Sequence, residues 1–503
     1  MESDMRGIDT QVRKARRRIF KEVANIAYHS TNLVDDMEAL PYKLVNTDES
    51  EYWESIYRER AVVRERTRLA MGMSLRPENA PVHVSQGVEE SAISEKYYEP
   101  PLMQVIPSAC NACPENRYEV TNLCMGCLAH PCREVCPRGA ISMKNGKSVI
   151  DQEKCIKCGK CKNICPYDAI SHQVRPCHGA CGVGAIESDK HGRASINPDK
   201  CVSCGMCMVS CPFGAIADKS QIFQLIRAIL SGRKIIAQVA PSFVGQFGPG
   251  VTPEIFKTAL KQLGFADVYE TAIGADMGCI AEAKHYVEHV ATGEQAFSLT
   301  SCCPSWSMLA KKFFPETISS ISNELTPMVA TARKIKEEHP DAEVVFIGPC
   351  AAKKLEAMRR TVRSDVDFVI TFEELAGMFE AKDIHLEEIE PAEVVADATA
   401  AGRGYGVAGG VASAIEDVIH AYYPDVEVHI EHAEGLADCK KMLMLAKAGK
   451  KNGCLIEGMG CPGGCVAGAG TNIAIDKATK ELLAFKNNTE QKLPENVPEG
   501  NTV

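Results

Sequence analysis

The sequence lacks the features that would place a protein in or across a membrane. It has no run of 18 or more apolar residues, and its start, MESDMRGIDTQVRKARRR, is charged and has no apolar stretch that a signal peptide would use. Its net charge of −10 gives no reason to expect binding to nucleic acid or to a membrane surface. We therefore expect a cytoplasmic protein. The 503 residues, 45% of them hydrophobic, provide for two to four domains.

Cysteine is absent before Cys110 and abundant after it. Of the 24 cysteines, 16 lie between Cys110 and Cys211. In a small secreted protein this density would indicate disulfides, but a long chain without a signal peptide is expected to keep its thiols reduced. Reduced, clustered cysteines are metal ligands, and so many of them indicate an anaerobic or well-protected setting.

The cysteine-rich region contains an internal repeat. The phrase Cys-x-x-x-Ala-Ile begins at Cys136, Cys165, Cys181 and Cys211, which indicates two ferredoxin-like units in tandem. Two half-motifs keep the full spacing that gives three thiolates to one [4Fe–4S] cubane and the fourth to its neighbour. They are Cys155, Cys158, Cys161, Cys165 and Cys201, Cys204, Cys207, Cys211. Structural zinc sites rarely take such a set, so we expect cubanes here.

The other two half-motifs are irregular. One, made of Cys124, Cys127, Cys132 and Cys136, has two extra residues before its third cysteine. By the ferredoxin exchange of the fourth ligand, the cubane of Cys124, Cys127 and Cys132 would take Cys165, and the cubane of Cys155, Cys158 and Cys161 would take Cys136.

The fourth half-motif keeps only Cys177 and Cys181, and Cys110 and Cys113 would supply the missing pair. Cys201, Cys204 and Cys207 would then take Cys181, and Cys110, Cys113 and Cys177 would take Cys211, for four accessory cubanes. Alternatively Cys110, Cys113, Cys177 and Cys181 bind zinc or nothing, which leaves three.

Four regions follow from these patterns. Residues 1–105 form a helical region that ends in a linker, and 106–220 carry the cubanes. In 221–480 short apolar runs alternate with amphipathic helical stretches, as in an α/β catalytic domain, and 481–503 form a tail. The expected fold class is multidomain α+β and α/β. The charged stretch Tyr57–Arg68 is typical of a scaffold helix or of a partner-facing helix.

Three cysteine-bearing loops each follow an apolar, strand-like run. They are TSCCPSW from Thr300, GPCAAKKLE from Gly348 and EGMGCPGGC from Glu457. Loops at the carboxyl ends of parallel strands meet in one crevice. Cys303, Cys350, Cys461 and Cys465 would there complete a further cubane, with Cys302 free beside it.

In order and separation these loops resemble the signature loops of the [FeFe]-hydrogenases, and the resemblance covers about residues 140–480. It implies an H-cluster, in which a cubane is joined to a diiron unit carrying CO, cyanide and an azadithiolate bridge. A dedicated maturation machinery supplies that unit. The implied reaction is the reversible combination of protons and electrons to H2. The absence of a flavin or NAD module favours ferredoxin or flavodoxin as the electron carrier, and a monomer would suffice.

The resemblance also implies roles for individual residues. Cys303, Cys350 and Cys461 would bind the cubane, Cys465 would bridge it to the diiron unit, and Cys302 would be the proton donor. The Lys353 ammonium would donate a hydrogen bond to an iron-bound cyanide. Pro241, Ser242 and Met459 would line the diiron site, and Glu356 would make structural hydrogen bonds.

Three positions depart from the family pattern. Gly348 stands where methionine is common and would open space near the bridging ligand. The relay that continues from the proton donor commonly uses Glu, Ser and Glu. Glu282 keeps the first, whereas Asn323 and His285 stand where the serine and the outer glutamate are expected. We expect a path from Cys302 through Glu282 to His285, unless His285 is an ordinary surface residue of a helix.

Three rival functions share parts of this pattern. A hydrogenase-like protein of iron–sulfur assembly would carry cubanes without a diiron unit, but Cys302, Lys353 and Met459 serve that unit. A hydrogen sensor would have a signalling domain, and none is visible. A protein of electron transfer alone would leave the three loops unexplained.

Overall fold

The computed structural model of the chain describes residues 5–46, 50, 52–392 and 398–495. The tail expected over residues 481–503 lies partly outside these ranges. Within them, the last helix continues to Asn487 and so enters the expected tail. Within the same ranges, no helix combines the length and hydropathy needed to cross a bilayer.

The N-terminal region is helical, as expected. Its elements are α1 (Gln11–His29), α2 (Leu33–Leu44), α3 (Ile56–Ala70) and the single turn α4 (Val88–Ser91). Helix α1 begins where the Thr10 side chain accepts a hydrogen bond from the Arg13 amide. Its apolar residues Ile19 and Val23 are buried, and the helix packs on two helices of the C-terminal half. This region is therefore part of the main core.

The charged stretch Tyr57–Arg68 lies in α3, and the structure favours the scaffold alternative. Arg68 donates hydrogen bonds to the carbonyls of Ser74 and Val84, both at 2.8 Å. Arg66 is buried and donates to the carbonyl of Gly214 in the cysteine-rich region. These buried guanidinium groups hold the irregular backbone around them because each supplies several fixed donors.

The cysteine-rich region consists of short strands and single turns of helix. Its strands are β1 (Met103–Val105), β2 (Asn116–Val120), β3 (Ile141–Lys144), β4 (Lys147–Ile150), β5 (Ile170–Val174), β6 (Ile186–Ser188), β7 (Ala194–Ile196) and β8 (Ile216–Asp218). They pair antiparallel as β1–β8, β2–β5, β3–β4 and β6–β7. The helices are α5 (Pro131–Glu134), α6 (Lys160–Ile164), α7 (Pro176–Gly179) and α8 (Met206–Val209).

The C-terminal half is α/β, and the predicted apolar runs are strands. Its strands are β9 (Ile235–Val239), β10 (Asp267–Glu270), β11 (Ser298–Leu299), β12 (Glu343–Gly348), β13 (Phe368–Thr371), β14 (His429–Glu434) and β15 (Cys454–Met459). They form two parallel sheets, of order β10-β9-β12-β13 and β11-β15-β14.

Helices cover these sheets. They are α9 (Ile222–Leu230), α10 (Pro253–Leu263), α11 (Ala272–His285), α12 (Pro304–Phe313), α13 (Pro327–Glu338), α14 (Ala352–Glu356), α15 (Phe372–Ala381), α16 (Ala400–Gly404), α17 (Gly410–Tyr422), α18 (Leu436–Lys447) and α19 (Ile475–Asn487). All five residues of β9 are buried, as expected for a strand covered on both faces. The two sheets place several loops at their carboxyl ends, where the candidate site lies.

Candidate active site and iron–sulfur ligands

The three signature loops meet at the carboxyl ends of β11, β12 and β15. Since β12 belongs to one sheet and β11 and β15 to the other, both sheets contribute to the site. Lys353 of the second loop donates a hydrogen bond to the Cys302 carbonyl of the first at 3.2 Å. The Gly460 amide of the third donates to Cys303 Sγ at 3.3 Å. The loops therefore form one crevice, as the sequence indicates.

Four thiols come together in this crevice. Cys461 and Cys465 each interact electrostatically with Cys350 and Cys303. Burial raises the pKa of Cys350 to about 11 and that of Cys461 well above its ordinary value. Thiols so costly to ionise alone become thiolates when iron binds them, and four such donors fit a cubane. In the described ranges, no three side chains of His, Cys, Asp or Glu are placed to hold a single metal ion.

Cys302 lies beside this set. Burial raises the pKa of its thiol well above the ordinary value, and the carboxylate of Glu457 adds to the effect. Burial by itself lowers the pKa of Lys353, but Glu356, whose Oε2 lies 2.7 Å from the ammonium, raises the lysine pKa overall together with Cys350 and Cys302. The hydrogen bond to the Cys302 carbonyl uses one of the three N–H donors of Lys353, so the ammonium retains donors for a bound ligand. Glu356 also accepts a 2.5 Å hydrogen bond from Thr326, consistent with the structural role expected for it.

The Glu282 side chain, on α11, accepts a hydrogen bond from Ser322 and not from Asn323. Its side chain is only 8% exposed, and burial raises the pKa of its carboxyl to about 8, against a hydrogen bond from Ser322 that lowers it. Asn323 is exposed. The alignment that placed Asn323 at the relay serine is therefore off by one position: in the segment after α12, Ser322 is buried and its amide donates to the Leu299 carbonyl of β11 at 2.8 Å.

The outer end of the path contains a carboxylate that the sequence did not single out. Burial raises the pKa of Glu324, and the nearby His285 opposes that shift. The Glu324 amide donates to Ser322 Oγ at 3.2 Å. His285 is partly exposed at the end of α11, and its ring lies 4.8 Å from that of His289. Glu324 thus lies between the interior and a pair of surface histidines.

Several buried polar atoms point to a missing ligand. In the part of the chain that the structure describes, Ser242 Oγ, Glu282 Oε2 and Tyr405 Oη make no hydrogen bond. Tyr405 interacts electrostatically with Glu282 and Cys302, and Met459 packs in the same apolar cluster as Cys302. Pro241 and Ser242 form the buried turn after β9. Buried polar groups are seldom left unpaired, so these three atoms are suited to contact a bound polar group such as the diiron unit.

Gly348 does not open free space, contrary to the expectation. A Cβ atom at Gly348 would lie 2.6 Å from Phe346 Cε1 and 3.1 Å from Ala240 Cβ. Phe346 is itself 4% exposed on β12. The phenyl ring of Phe346 therefore fills the volume into which a side chain at position 348 would point, a compensation that a residue-by-residue comparison with the family does not reveal.

Replacing Gly348 with methionine is expected to destabilise the fold by about 1–3 kcal/mol, because the ring of Phe346 has no room to move. The double variant Phe346→Leu with Gly348→Met should recover most of this loss. Urea denaturation of the anaerobically purified protein measures both. A single variant as stable as the wild type would show that the two positions do not compete.

The cysteines predicted to form the inner accessory set lie near one another. Cys207 interacts electrostatically with Cys204, Cys201 and Cys181. Cys204 also interacts with Cys303 and Cys461 of the crevice. A cubane held by these four cysteines would lie next to the crevice of the three signature loops.

Cys110, Cys113, Cys177 and Cys211 line one small cavity. Burial raises the pKa of Cys177 to about 12, and the other three thiols raise it further. Arg175, 3% exposed, donates to the Cys113 carbonyl at 2.8 Å and to the Gly192 carbonyl at 2.7 Å. Arg66 lies on the opposite flank, where it interacts with Cys211 while burial lowers its own pKa to about 10. Two buried cations therefore accompany this donor set, which fits a fourth accessory cubane.

Replacing Arg175 with glutamine is expected to lower the reduction potential of this cubane by on the order of tens of millivolts. A nearby cation stabilises the reduced, more negative cluster, so its removal favours the oxidised form. EPR-monitored potentiometry of the holoprotein measures the shift. Arg175→Lys, which keeps the charge, should restore most of the potential, and equal potentials in the Gln and Lys variants would rule out the electrostatic effect.

The other eight accessory cysteines lie in the segment between β2 and β5. Cys132 and Cys161 are buried in one small core, against which Cys136, Cys155 and Cys165 pack. Cys161 interacts electrostatically with Cys155 and Cys158. Cys124 and Cys127 lie on a partly exposed loop. These positions are compatible with the two exchanged sets predicted for this segment.

Comparison with known proteins agrees with these loops. The family described as "Iron only hydrogenase large subunit, C-terminal domain" matches residues 233–469, and "4Fe-4S binding domain" matches 148–171 and 194–217. Iron hydrogenase 1 of Clostridium pasteurianum is 31% identical over 373 residues, 64% of each chain, so the match spans just under two thirds of that relative. The periplasmic [Fe] hydrogenase large subunit of Nitratidesulfovibrio vulgaris is 30% identical over 395 residues, 67% of this chain and 90% of the relative.

Two further similarities are weaker. Cytosolic iron-sulfur assembly component 3 of Bos taurus is 28% identical over 289 residues, 47% of this chain and 61% of that protein. A solved structure of a variant of the [FeFe]-hydrogenase HydA1 from Chlamydomonas reinhardtii is 24% identical and covers 54% of this chain and 90% of that one, with a TM-score of 0.45.

Proposed function

Since the chain belongs to the iron-only hydrogenase family, we propose that it is an [FeFe]-hydrogenase that interconverts protons, electrons and H2 at an H-cluster. The observation that carries the proposal is a fifth thiol, Cys302, beside four ligand thiols and in electrostatic contact with the buried carboxyl of Glu282. A cubane alone uses four thiolates and gives no reason for a buried proton relay next to it.

Each loop has a separate task in this proposal. Cys303, Cys350 and Cys461 hold the cubane and Cys465 joins it to the diiron unit. When bound, the H-cluster supplies the redox centre at which protons and electrons combine. Lys353, held by Glu356, would supply a fixed positive charge to a cyanide ligand of the bound diiron unit in this buried pocket. Ser242 and Met459 line the same pocket, in which Tyr405 is a further candidate donor.

Protons move through side chains of this chain alone. With the H-cluster bound, the Cys302 thiol would donate a proton to it or accept one from it, and Glu282 would exchange that proton with Cys302. Ser322 passes protons between Glu282 and Glu324, and His285 exchanges them with solvent. The carboxyl of Glu282, whose pKa burial raises to about 8, is suited to this role because its acid form persists near neutral pH.

Electrons move through the accessory cubanes. The set with Cys204 is adjacent to the catalytic cubane, and Cys207 of that set interacts with Cys177 of the next. The two cubanes between β2 and β5 would complete this series of electron-transfer clusters, which we call the wire. A ferredoxin or flavodoxin in the cytoplasm is the proposed external carrier.

A role in iron–sulfur assembly is the alternative that the bovine relative raises. Cys302, Lys353 and Met459 favour the hydrogenase, because the family uses these residues for the diiron unit. H2 production from reduced methyl viologen by protein co-expressed with the maturation machinery tests the choice. Activity together with about 22 iron atoms per chain would support the proposal, and about 18 would indicate three accessory cubanes. Full cubane content without H2 production would favour the alternative.

A further inference from the structure

The segment from β2 to β5, residues 116–174, is a separate lobe whose elements pack mainly on one another. We call it the outer lobe. It contains nine Lys and Arg residues and five Asp and Glu residues, a formal charge of +4 in a chain whose total is −10. The outer lobe is therefore a basic part of an acidic protein.

The pairing of β2 with β5 defines the two ends of this lobe. Asn116 pairs with Val174 at the end joined to Cys113 and Cys177, and Val120 pairs with Ile170 at the far end. Tyr118, midway along β2, interacts with Cys155, Cys158 and Cys161. Cys124, Cys127 and Cys165 adjoin the far end of the ladder in the chain. The cubane that they hold is thus the outermost in the proposed wire.

Large apolar side chains surround these far-end cysteines and are exposed to solvent. Leu128 is 96% exposed, Met125 69% and Leu123 62%, and Ile164 and Tyr167 beside Cys165 are about half exposed. We call these five residues the tip patch. Leu128 lies within the stretch that lengthens the third half-motif, so the extra residues present an apolar side chain next to the ligand Cys127. Helix α5, which follows Leu128 in the chain, contacts helix α6, which ends at Ile164, so the exposed apolar groups lie on neighbouring elements. Such groups mark a surface for another molecule.

Positive charge borders the tip patch. Lys147 interacts electrostatically with Cys124 and donates a hydrogen bond to the Asn122 carbonyl at 3.1 Å. Lys162, between Cys161 and Cys165, is exposed. An apolar centre with a basic rim is complementary to a protein with an acidic rim around its own redox group.

We propose that the tip patch is the docking surface for a small acidic electron-carrier protein, which exchanges one electron at a time with the cubane of Cys124, Cys127, Cys132 and Cys165. This rests on the proposed hydrogenase function for the direction and use of the electrons, but the docking itself does not. The carrier and not a membrane is favoured, because the exposed apolar residues surround cluster ligands and because electrons have to enter the wire at its outer end.

Binding of an acidic 2[4Fe–4S] ferredoxin to the holoprotein provides the test. Leu128→Glu and Lys147→Glu should each weaken its Kd, measured by calorimetry without H2, by about tenfold. The ratio of the ferredoxin-linked to the methyl viologen-linked rate should fall by a similar factor, since a small dye needs no docking surface. Iron content and the EPR spectrum of the reduced cubanes show whether the variants retain their clusters.

Matched controls lie on α18, away from the outer lobe. Met444 is 48% exposed and Lys450 is exposed beyond the end of the helix. Met444→Glu and Lys450→Glu should leave the ferredoxin Kd within about twofold. Equal losses in both pairs of variants would show a general charge effect and would overturn the proposal.

Other outcomes also decide it. An unchanged Kd in the Leu128→Glu variant would overturn the assignment. So would tip-patch variants that still bind ferredoxin but no longer form a dimer of this chain, or no longer sediment with anionic vesicles. If the wild type binds ferredoxin at the tip patch and accepts its electrons but produces no H2 from any donor, the docking surface stands and the hydrogenase proposal fails.

Discussion

Replacing Cys302 with alanine is expected to reduce H2 production by about 10²- to 10⁴-fold while the iron content stays that of the wild type. Of the two thiols in the first loop, that of Cys302 is the one not assigned to the cubane, and it lies in electrostatic contact with Glu282. Removing a positioned acid slows proton transfer without removing a ligand. Methyl viologen-linked H2 production and iron analysis measure the two effects.

The matched control is Cys454→Ala, which removes a free, partly exposed thiol outside the predicted ligand sets. It should retain full activity. A Cys302→Ala protein that loses iron would show that Cys302 is a ligand, and one with activity within twofold of the wild type would exclude it as the proton donor.

Replacing Glu282 with glutamine is expected to slow H2 production by about 10²-fold and to change its pH profile. With a pKa of about 8, the carboxyl of Glu282 is protonated at pH 7 and can supply protons to Cys302. As the pH rises through about 8 the acid form is lost, so the wild-type rate of H2 production should decline in that range. Glutamine does not ionise, and the remaining rate of the variant should lack this decline.

Two neighbouring substitutions separate the observed relay from the one expected by alignment. Ser322→Ala should reduce the rate because it breaks the hydrogen bond to Glu282, whereas Asn323→Ala at an exposed position should not. The opposite result would show that Asn323, and not Ser322, is the relay residue. A decline near pH 8 that persists unchanged in the Glu282→Gln variant would assign that titration to another group.

The parts of the site with fixed chemical spacing could be predicted from the sequence. Each of the three loops follows an apolar, strand-like run and resembles a signature loop of the family, so Cys303, Cys350, Cys461 and Cys465 could be proposed as ligands before their contacts were known. The helical N-terminal region and the strands β9, β12 and β15 were also predictable, because their apolar patterns are strong. The family is confirmed by the relatives, whereas the roles of single residues remain predictions.

The parts that depend on packing could not be predicted. Ser322 and Asn323 differ by one position, and only the packing of the segment after α12 decides which faces Glu282. The ring of Phe346 fills the space beside Gly348 through a contact between alternate residues of one strand. Arg66 reaches the cysteine-rich region from a helix more than a hundred residues away in the chain. No local pattern reports such contacts, since they arise only when the elements pack together.

Infrared spectroscopy of the matured, anaerobically purified protein tests the central claim most directly. Iron-bound CO and cyanide absorb where no protein group does, and cubanes have neither ligand. The hydrogenase proposal predicts bands of both ligands, which should be lost in a Cys465→Ala variant that cannot join the diiron unit to the cubane. A fully matured protein with its cubanes intact and no such bands would contradict it.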